Sequence, residues 1–112
     1  MYNYKLLNNE KNLLIVDNVP INKEDNLYTV IITNIRLLIL DYPSKLYNSE
    51  EDLRSIGRIN TVKMKEIVSE IYLDNIKTIE YHKDFSKYIL NDNSYILINN
   101  KDIDKYMKNI IK

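Results

Sequence analysis

The residues that could do chemistry in this 112-residue chain are few and scattered. The single histidine, His82, sits beside Lys83 and Asp84. A nucleophilic triad needs an imidazole between an acid and a hydroxyl or thiol, and a zinc site needs further ligands at set spacing. No motif supplies either set, so His82 reads as an ordinary strand-end residue. Cysteine is absent, which excludes thiol catalysis, cysteine-based zinc sites and disulfides. With Gly57 as the one glycine, no glycine-rich phosphate loop can form. The pair Glu50 and Glu51 reads as charge at a helix N-terminus. We therefore expect no catalytic residues, no metal site and no cofactor.

Charge gives one candidate site. Arg54, Arg58, Lys63 and Lys65 fall within one connection and could contact phosphate, from lipid or nucleic acid. The plainer reading is a solvated loop, because Glu50, Glu51, Asp52 and Glu66 lie alongside. Ten tyrosines could stack on single-stranded bases. Sixteen basic and sixteen acidic residues cancel, however, and nucleic-acid modules carry a basic excess. Nucleic acid is therefore an unfavoured partner, and the tyrosines read as amphipathic core and rim residues.

The most informative pattern is apolar. Strand side chains alternate between two faces, so a strand with one wet face should alternate apolar with polar. Instead Val30-Ile31-Ile32, Leu37-Leu38-Ile39-Leu40 and Ile96-Leu97-Ile98 are continuously apolar. One face fills a core and something must cover the other. Leu46, Leu53, Ile56 and Ile59, or Tyr2–Leu7, could fold over it within the chain. Alternatively a protein partner covers it, most simply a second copy, through Val30, Ile32, Leu38 and Leu40.

These side chains must be positioned by strands. Runs rich in Ile, Val and Tyr cover Asn12–Asp17, Leu27–Thr33, Ile35–Asp41, Glu66–Leu73, Ile76–Lys83, Ser86–Asn91 and Ser94–Asn99. Turns fall at Asn22–Asn26, Thr33–Asn34, Asp74–Asn75 and Asn91–Ser94, because Asn and Asp tolerate left-handed backbone where glycine is scarce. Ile103, Tyr106, Met107, Ile110 and Ile111 recur at helical spacing and predict an amphipathic helix over about 101–111. Asn100 is its expected N-cap, with Asp102 and Asp104 in the first turn and Lys108 and Lys112 towards the end. Between the third and fourth strands, residues 42–65 form an insertion. Ser49-Glu50-Glu51-Asp52 opens a short helix there, with Leu53 and Ile56 as its buried side and Gly57 ending it.

Thr33-Asn34-Ile35-Arg36-Leu37-Leu38-Ile39-Leu40-Asp41 resembles the "LTNKRLIFLD" hairpin of bacterial pleckstrin-homology-like (PH-like) and GRAM-like domains, with Ile35 where that pattern often has Lys. Ile71-Tyr72-Leu73-Asp74-Asn75-Ile76-Lys77-Thr78-Ile79-Glu80 resembles the "IPLEDIKSIE" segment that follows, with Tyr72 in place of the common Pro. Asp102-Ile103 opens the last helix as it often does in that family. The likeness covers roughly residues 12–41 and 70–111. It implies a mainly β (α+β) fold, a seven-stranded antiparallel barrel or sandwich capped by the C-terminal helix. Arg36, inside the hairpin motif, is then expected to pair with a carboxylate or backbone carbonyl near the turn. Lipid-binding members resemble one another in a basic loop between the first two strands. Here that loop, Asn18 to Asn26, holds Lys23 followed by Glu24 and Asp25, so the likeness fails at those residues.

At this length the chain is expected to be one domain, residues 1–112. No apolar run approaches the ~20 residues of a membrane span, and Met1–Asn12 lacks the apolar centre of a secretion signal. A cytoplasmic location is expected. The absence of Ala, Gln, Trp and Cys, with abundant Asn, Ile, Lys and Tyr, reads as codon bias of an AT-rich genome. The reading that results is a non-catalytic module binding protein, including itself, through apolar strand surface. The alternative is a peripheral binder of phosphate or anionic lipid headgroups at a membrane surface, through the basic connection.

Overall fold

The computed structural model describes residues 2–41 and 65–111, with side chains from Tyr4 onward. Of the insertion between the third and fourth predicted strands, residues 42–64, with the expected short helix, lie outside the described residues, and Lys65 opens the following strand. The described chain is mainly β. It runs β1 (Tyr2–Asn3), β2 (Asn12–Pro20), β3 (Leu27–Thr33), β4 (Arg36–Asp41), β5 (Lys65–Tyr72), β6 (Ile76–Tyr81), β7 (Ser86–Leu90), β8 (Tyr95–Ile98) and α1 (Lys101–Ile110). A 3-10 turn, Leu73–Asn75, joins β5 to β6.

The strands form two sheets, ordered β1-β5-β4-β3-β2 and β6-β7-β8. All pairings are antiparallel except that of the two-residue β1, which runs parallel to β5. The sheets meet at one corner, where Ile21 bridges Ile98. There the Asn22 N–H donates to the Leu97 carbonyl at 2.8 Å, and the Asn22 Oδ1 accepts from the Leu97 N–H at 2.9 Å. Among the described residues no ladder joins the sheets on the other side. The arrangement is an open two-sheet sandwich and not a closed barrel.

Register explains why β3 and β4 are apolar on both sides. Val30 pairs with Ile39, Ile31 with Leu38 and Ile32 with Leu37. Paired residues share a face. Val30, Ile32, Leu37 and Ile39 therefore turn inward, packing with Ile71, Ile76, Tyr88, Ile96 and Ile98. Ile31, Leu38 and Leu40 turn outward into a second, smaller cluster with Tyr4 and Ile67. Each such fully buried Ile or Leu contributes about 1.5–3 kcal/mol, so the outer cluster is a substantial part of the fold.

The helix closes the main core. Ile103 and Met107 are fully buried in it, and Tyr106 and Ile111 pack against it. The Asn100 Oδ1 accepts from the Ile103 N–H at 2.9 Å, as an N-cap should. Ile110 is 42% exposed, so the buried stripe is narrower than its spacing implies. No helix among the described residues is long and apolar enough to cross a membrane.

Asparagine takes the place of glycine at several turns and at the register shift within β2. Asn9, Asn18, Asn22 and Asn93 have positive φ, as does Lys23. The β3–β4 turn uses another device: the Thr33 Oγ1 accepts from the N–H groups of Ile35 and Arg36 at 3.1 and 2.9 Å.

Candidate functional site

The largest buried polar cluster among the described residues sits at one end of the outer sheet face. Arg36 donates to Glu10 twice, Nε to Oε2 at 2.8 Å and Nη2 to Oε1 at 3.0 Å. It also donates to Glu70 Oε2 at 2.7 Å and to the Lys5 carbonyl at 2.8 Å. The Thr33 hydroxyl donates to Glu10 Oε2 at 2.6 Å, and the Leu7 N–H donates to Glu10 Oε1 at 2.8 Å. Burial alone would raise the Glu10 carboxyl. The bonds from Arg36, Thr33 and Leu7, with the Arg36 charge, outweigh it and hold the group at about 2. Glu10 in turn raises Arg36 above its already high value. Every donor here faces an acceptor inside the chain, so the cluster ties residues 5–10 onto the sheet. Arg36 does pair with carboxylates and a backbone carbonyl, as its place in the hairpin suggests.

The sequence-derived interface residues do not share a surface. Val30 and Ile32 belong to the inner core, Leu38 and Leu40 to the outer cluster, and all four have 0% exposure. Alternation within each strand pairs Val30 with Ile32 and Leu38 with Leu40. The one-residue offset in the β3–β4 register sends the two pairs to opposite faces.

The outer apolar row does reach solvent, at β2. Ile15 pairs with Ile31, which pairs with Leu38. Ile31 and Leu38 are fully buried, but Ile15 is 45% exposed and its near neighbour Leu13 is 47% exposed. β2 is the last strand of its sheet. Register irregularities flank this stretch, between Asn12 and Leu14 and between Val16 and Val19. They leave Leu14–Val16 as a short regular edge.

Of the basic cluster, Arg54, Arg58 and Lys63 lie outside the described residues. Lys65 donates to the Thr29 hydroxyl at 2.6 Å and lies 3.5 Å from Asp17 Oδ1. The Asp17 carboxylate also accepts from Thr29 at 2.6 Å. Lys65 is thus tied to the sheet.

A recess lies where the β6–β7 turn faces α1. It has a volume of about 450 Å³ and is lined by Tyr81, His82, Lys83, Phe85, Asn99 and, from the helix, Lys101, Asp104, Lys105 and Lys108. Lys108 Nζ lies 4.5 Å from the Tyr81 ring centroid, and Lys23 Nζ lies 4.4 Å from that of Phe85. His82 stacks on Phe85 at 4.8 Å and approaches Glu80 at 3.5 Å. The acid in the lining, Asp104, is turned inward. It accepts from the Ser86 hydroxyl at 2.7 Å and the Tyr88 hydroxyl at 3.2 Å. Burial and the Asp104 charge raise both Tyr81 and, much further, Tyr88, whose hydroxyl also donates to Asp104. Sequence reasoning passed over this recess, although Lys101, Lys105 and Lys108 recur at i, i+4 and i+7 along the expected helix.

Among the described residues, no group of three or more His, Asp or Glu side chains could hold a metal ion. In comparisons with known proteins, no family model, no curated protein and no solved structure matches the chain.

Proposed function

We propose that this chain is a non-catalytic, PH-like interaction module that binds a protein partner, most simply a second copy of itself, by strand addition at β2. Three features support the PH-like part. They are the hairpin and linker motifs, the order of the seven longer strands, and a last helix whose Ile103 and Met107 close the core. The observation that carries the binding part is the row Ile15–Ile31–Leu38. Its cover ends before the sheet does, leaving an apolar side chain beside a backbone edge with no strand on it among the described residues. An edge strand offers unpaired N–H and C=O groups, and flanking side chains set which strand fits. Two copies of β2 meeting antiparallel would satisfy both edges by one symmetric contact.

Light scattering of the purified chain between 10 and 200 µM tests this. A dimer mass that Ile15→Lys converts to a monomer supports strand addition. A monomer across the whole range rules out self-association, and capture of a partner that is indifferent to Ile15→Lys places the contact elsewhere. The reading through phosphate or anionic lipid headgroups at the basic connection gains nothing from Lys65, whose ammonium is engaged by Thr29 and Asp17.

A further inference from the structure

The recess beside α1 has a charge arrangement that internal pairing does not explain. Four lysines line it, Lys83, Lys101, Lys105 and Lys108, against one carboxylate. The chain as a whole is neutral, so this is a local excess. On the helix, Lys101, Lys105 and Lys108 follow one another at i, i+4 and i+7, and like charges at such spacing repel. Asp104 could relieve them, since Asp104 to Lys108 is a favourable i, i+4 pair. It does not do so. Both its oxygens accept from Ser86 and Tyr88, two residues with no exposed surface. Among the described residues no ion pair is made by any of the four lysines. Lys108 lies instead over the Tyr81 ring, which holds its ammonium at the recess and leaves its N–H donors usable.

We propose that this recess is an anion site that takes a multiply charged phosphate group, with Lys83, Lys101, Lys105 and Lys108 as its donors. Lysine suits such a ligand because it acts as a compact, mobile point charge without demanding planar, two-pronged geometry. The volume, about 450 Å³, falls in the range of small-molecule sites. Asp104 acts as a positioning residue, holding α1 against β7 so that the helical lysines face the β6–β7 turn. The site is separate from the β2 edge and does not depend on the strand-addition reading.

The probe is inorganic triphosphate, titrated into the full chain at low salt and followed by amide chemical shifts. Saturable shifts confined to residues 81–85 and 99–108 are expected. Lys105→Gln with Lys108→Gln should weaken binding by about tenfold or more, because it removes two of the four charged donors. Both lysines are exposed, so the variant keeps the core intact. Sedimentation with phosphatidylcholine vesicles carrying a tenth phosphatidylinositol 4-phosphate separates the sources. Co-sedimentation lost in the double variant supports a lipid headgroup. Triphosphate binding without co-sedimentation supports a soluble phosphate ligand. Shifts spread over all lysines without saturation, or a double variant that binds as well as the parent, would overturn the site.

Discussion

Glu10 and Arg36, 26 residues apart in sequence, meet side by side as a two-pronged ion pair, with contacts of 2.8 and 3.0 Å. Their side chains are 0% and 6% exposed, respectively. The pair joins the segment before β2 to the first residue of β4, across the end of the sheet. A buried pair of this kind gives little net stability over an apolar substitute, but losing one member strands a charge. Glu10→Gln should therefore cost about 3–5 kcal/mol in urea unfolding. The double change Glu10→Leu with Arg36→Met should cost less than the sum of the single changes. Additive losses would mean that the two groups act independently.

The same pair should contribute to the acid limb of stability. The folded Glu10 carboxyl titrates at about 2, below its ordinary 4.5. A depressed carboxylate contributes fully above the unfolded value and loses that contribution as pH falls through the folded one. The urea midpoint should thus decline between about pH 4.5 and 2. The contribution lost is on the order of 3 kcal/mol. In Glu10→Gln this decline should flatten, and an unchanged acid limb would assign it to other carboxylates.

How much of this could be read from the residues alone follows from the range of each interaction. The strands and the helix were legible because alternation and the 3.6-residue period are local. Leu27–Thr33 matches its expected bounds, and Asn100 caps the helix as expected. The outer face was legible as a need for cover but not as a solution. The Arg36 partner, Glu10, lies in a segment with no strand pattern, and β1 spans two residues. The failure of the interface set had a different cause. A one-residue register choice between β3 and β4 decides which apolar residues share a face, and no single strand encodes it. The lysine recess joins the β6–β7 turn to the helix, and sequence shows only the helical half.

Tyr88 should contribute to the alkaline limb. It is fully buried, and its hydroxyl donates to Asp104 at 3.2 Å. Burial first, then the Asp104 charge and hydrogen bond, raise it far above the ordinary 10.0. A phenol that must stay protonated when folded contributes fully below the unfolded value. Stability should therefore fall as pH rises beyond about 10. Tyr88→Phe should cost about 1 kcal/mol at neutral pH, the net worth of one hydrogen bond. It should also blunt the alkaline loss. Ultraviolet titration at 295 nm checks the first claim, because Tyr88 should ionise only with unfolding.

The cap on α1 can be tested by itself. Asn100 satisfies the Ile103 N–H, one of the orphan donors of the first turn. Asn100→Ala should cost about 1 kcal/mol. Met107→Ala, at a position with 0% exposure in the main core, should cost about 2–5 kcal/mol. If both substitutions were silent in urea unfolding, the helix would not be part of the cooperative fold.

The cover over the outer face yields the last prediction. Tyr4 is partly buried against Ile31, Leu38 and Leu40, and the Lys5 carbonyl beside it accepts from Arg36. Tyr4→Ala removes contact area from the cover while leaving the Glu10–Arg36 tie intact. Half-buried, the ring should be worth about 1–2 kcal/mol, less than a fully buried aromatic. Deleting residues 1–9 removes Tyr4, the Lys5 carbonyl and the Leu7 donor to Glu10 together. Three buried apolar side chains would then lose part of their cover. Exposed apolar clusters bind hydrophobic dyes and promote association. The truncated chain should therefore bind anilinonaphthalene sulfonate and gain mass in light scattering, even when it also carries Ile15→Lys. Ile15 borders Ile31 in the same outer row, so the added charge should weaken association through the uncovered face without abolishing it, whereas strand addition at β2 should be lost. A truncated chain that stays monomeric and dye-free would show that residues 1–9 are dispensable for covering Ile31, Leu38 and Leu40.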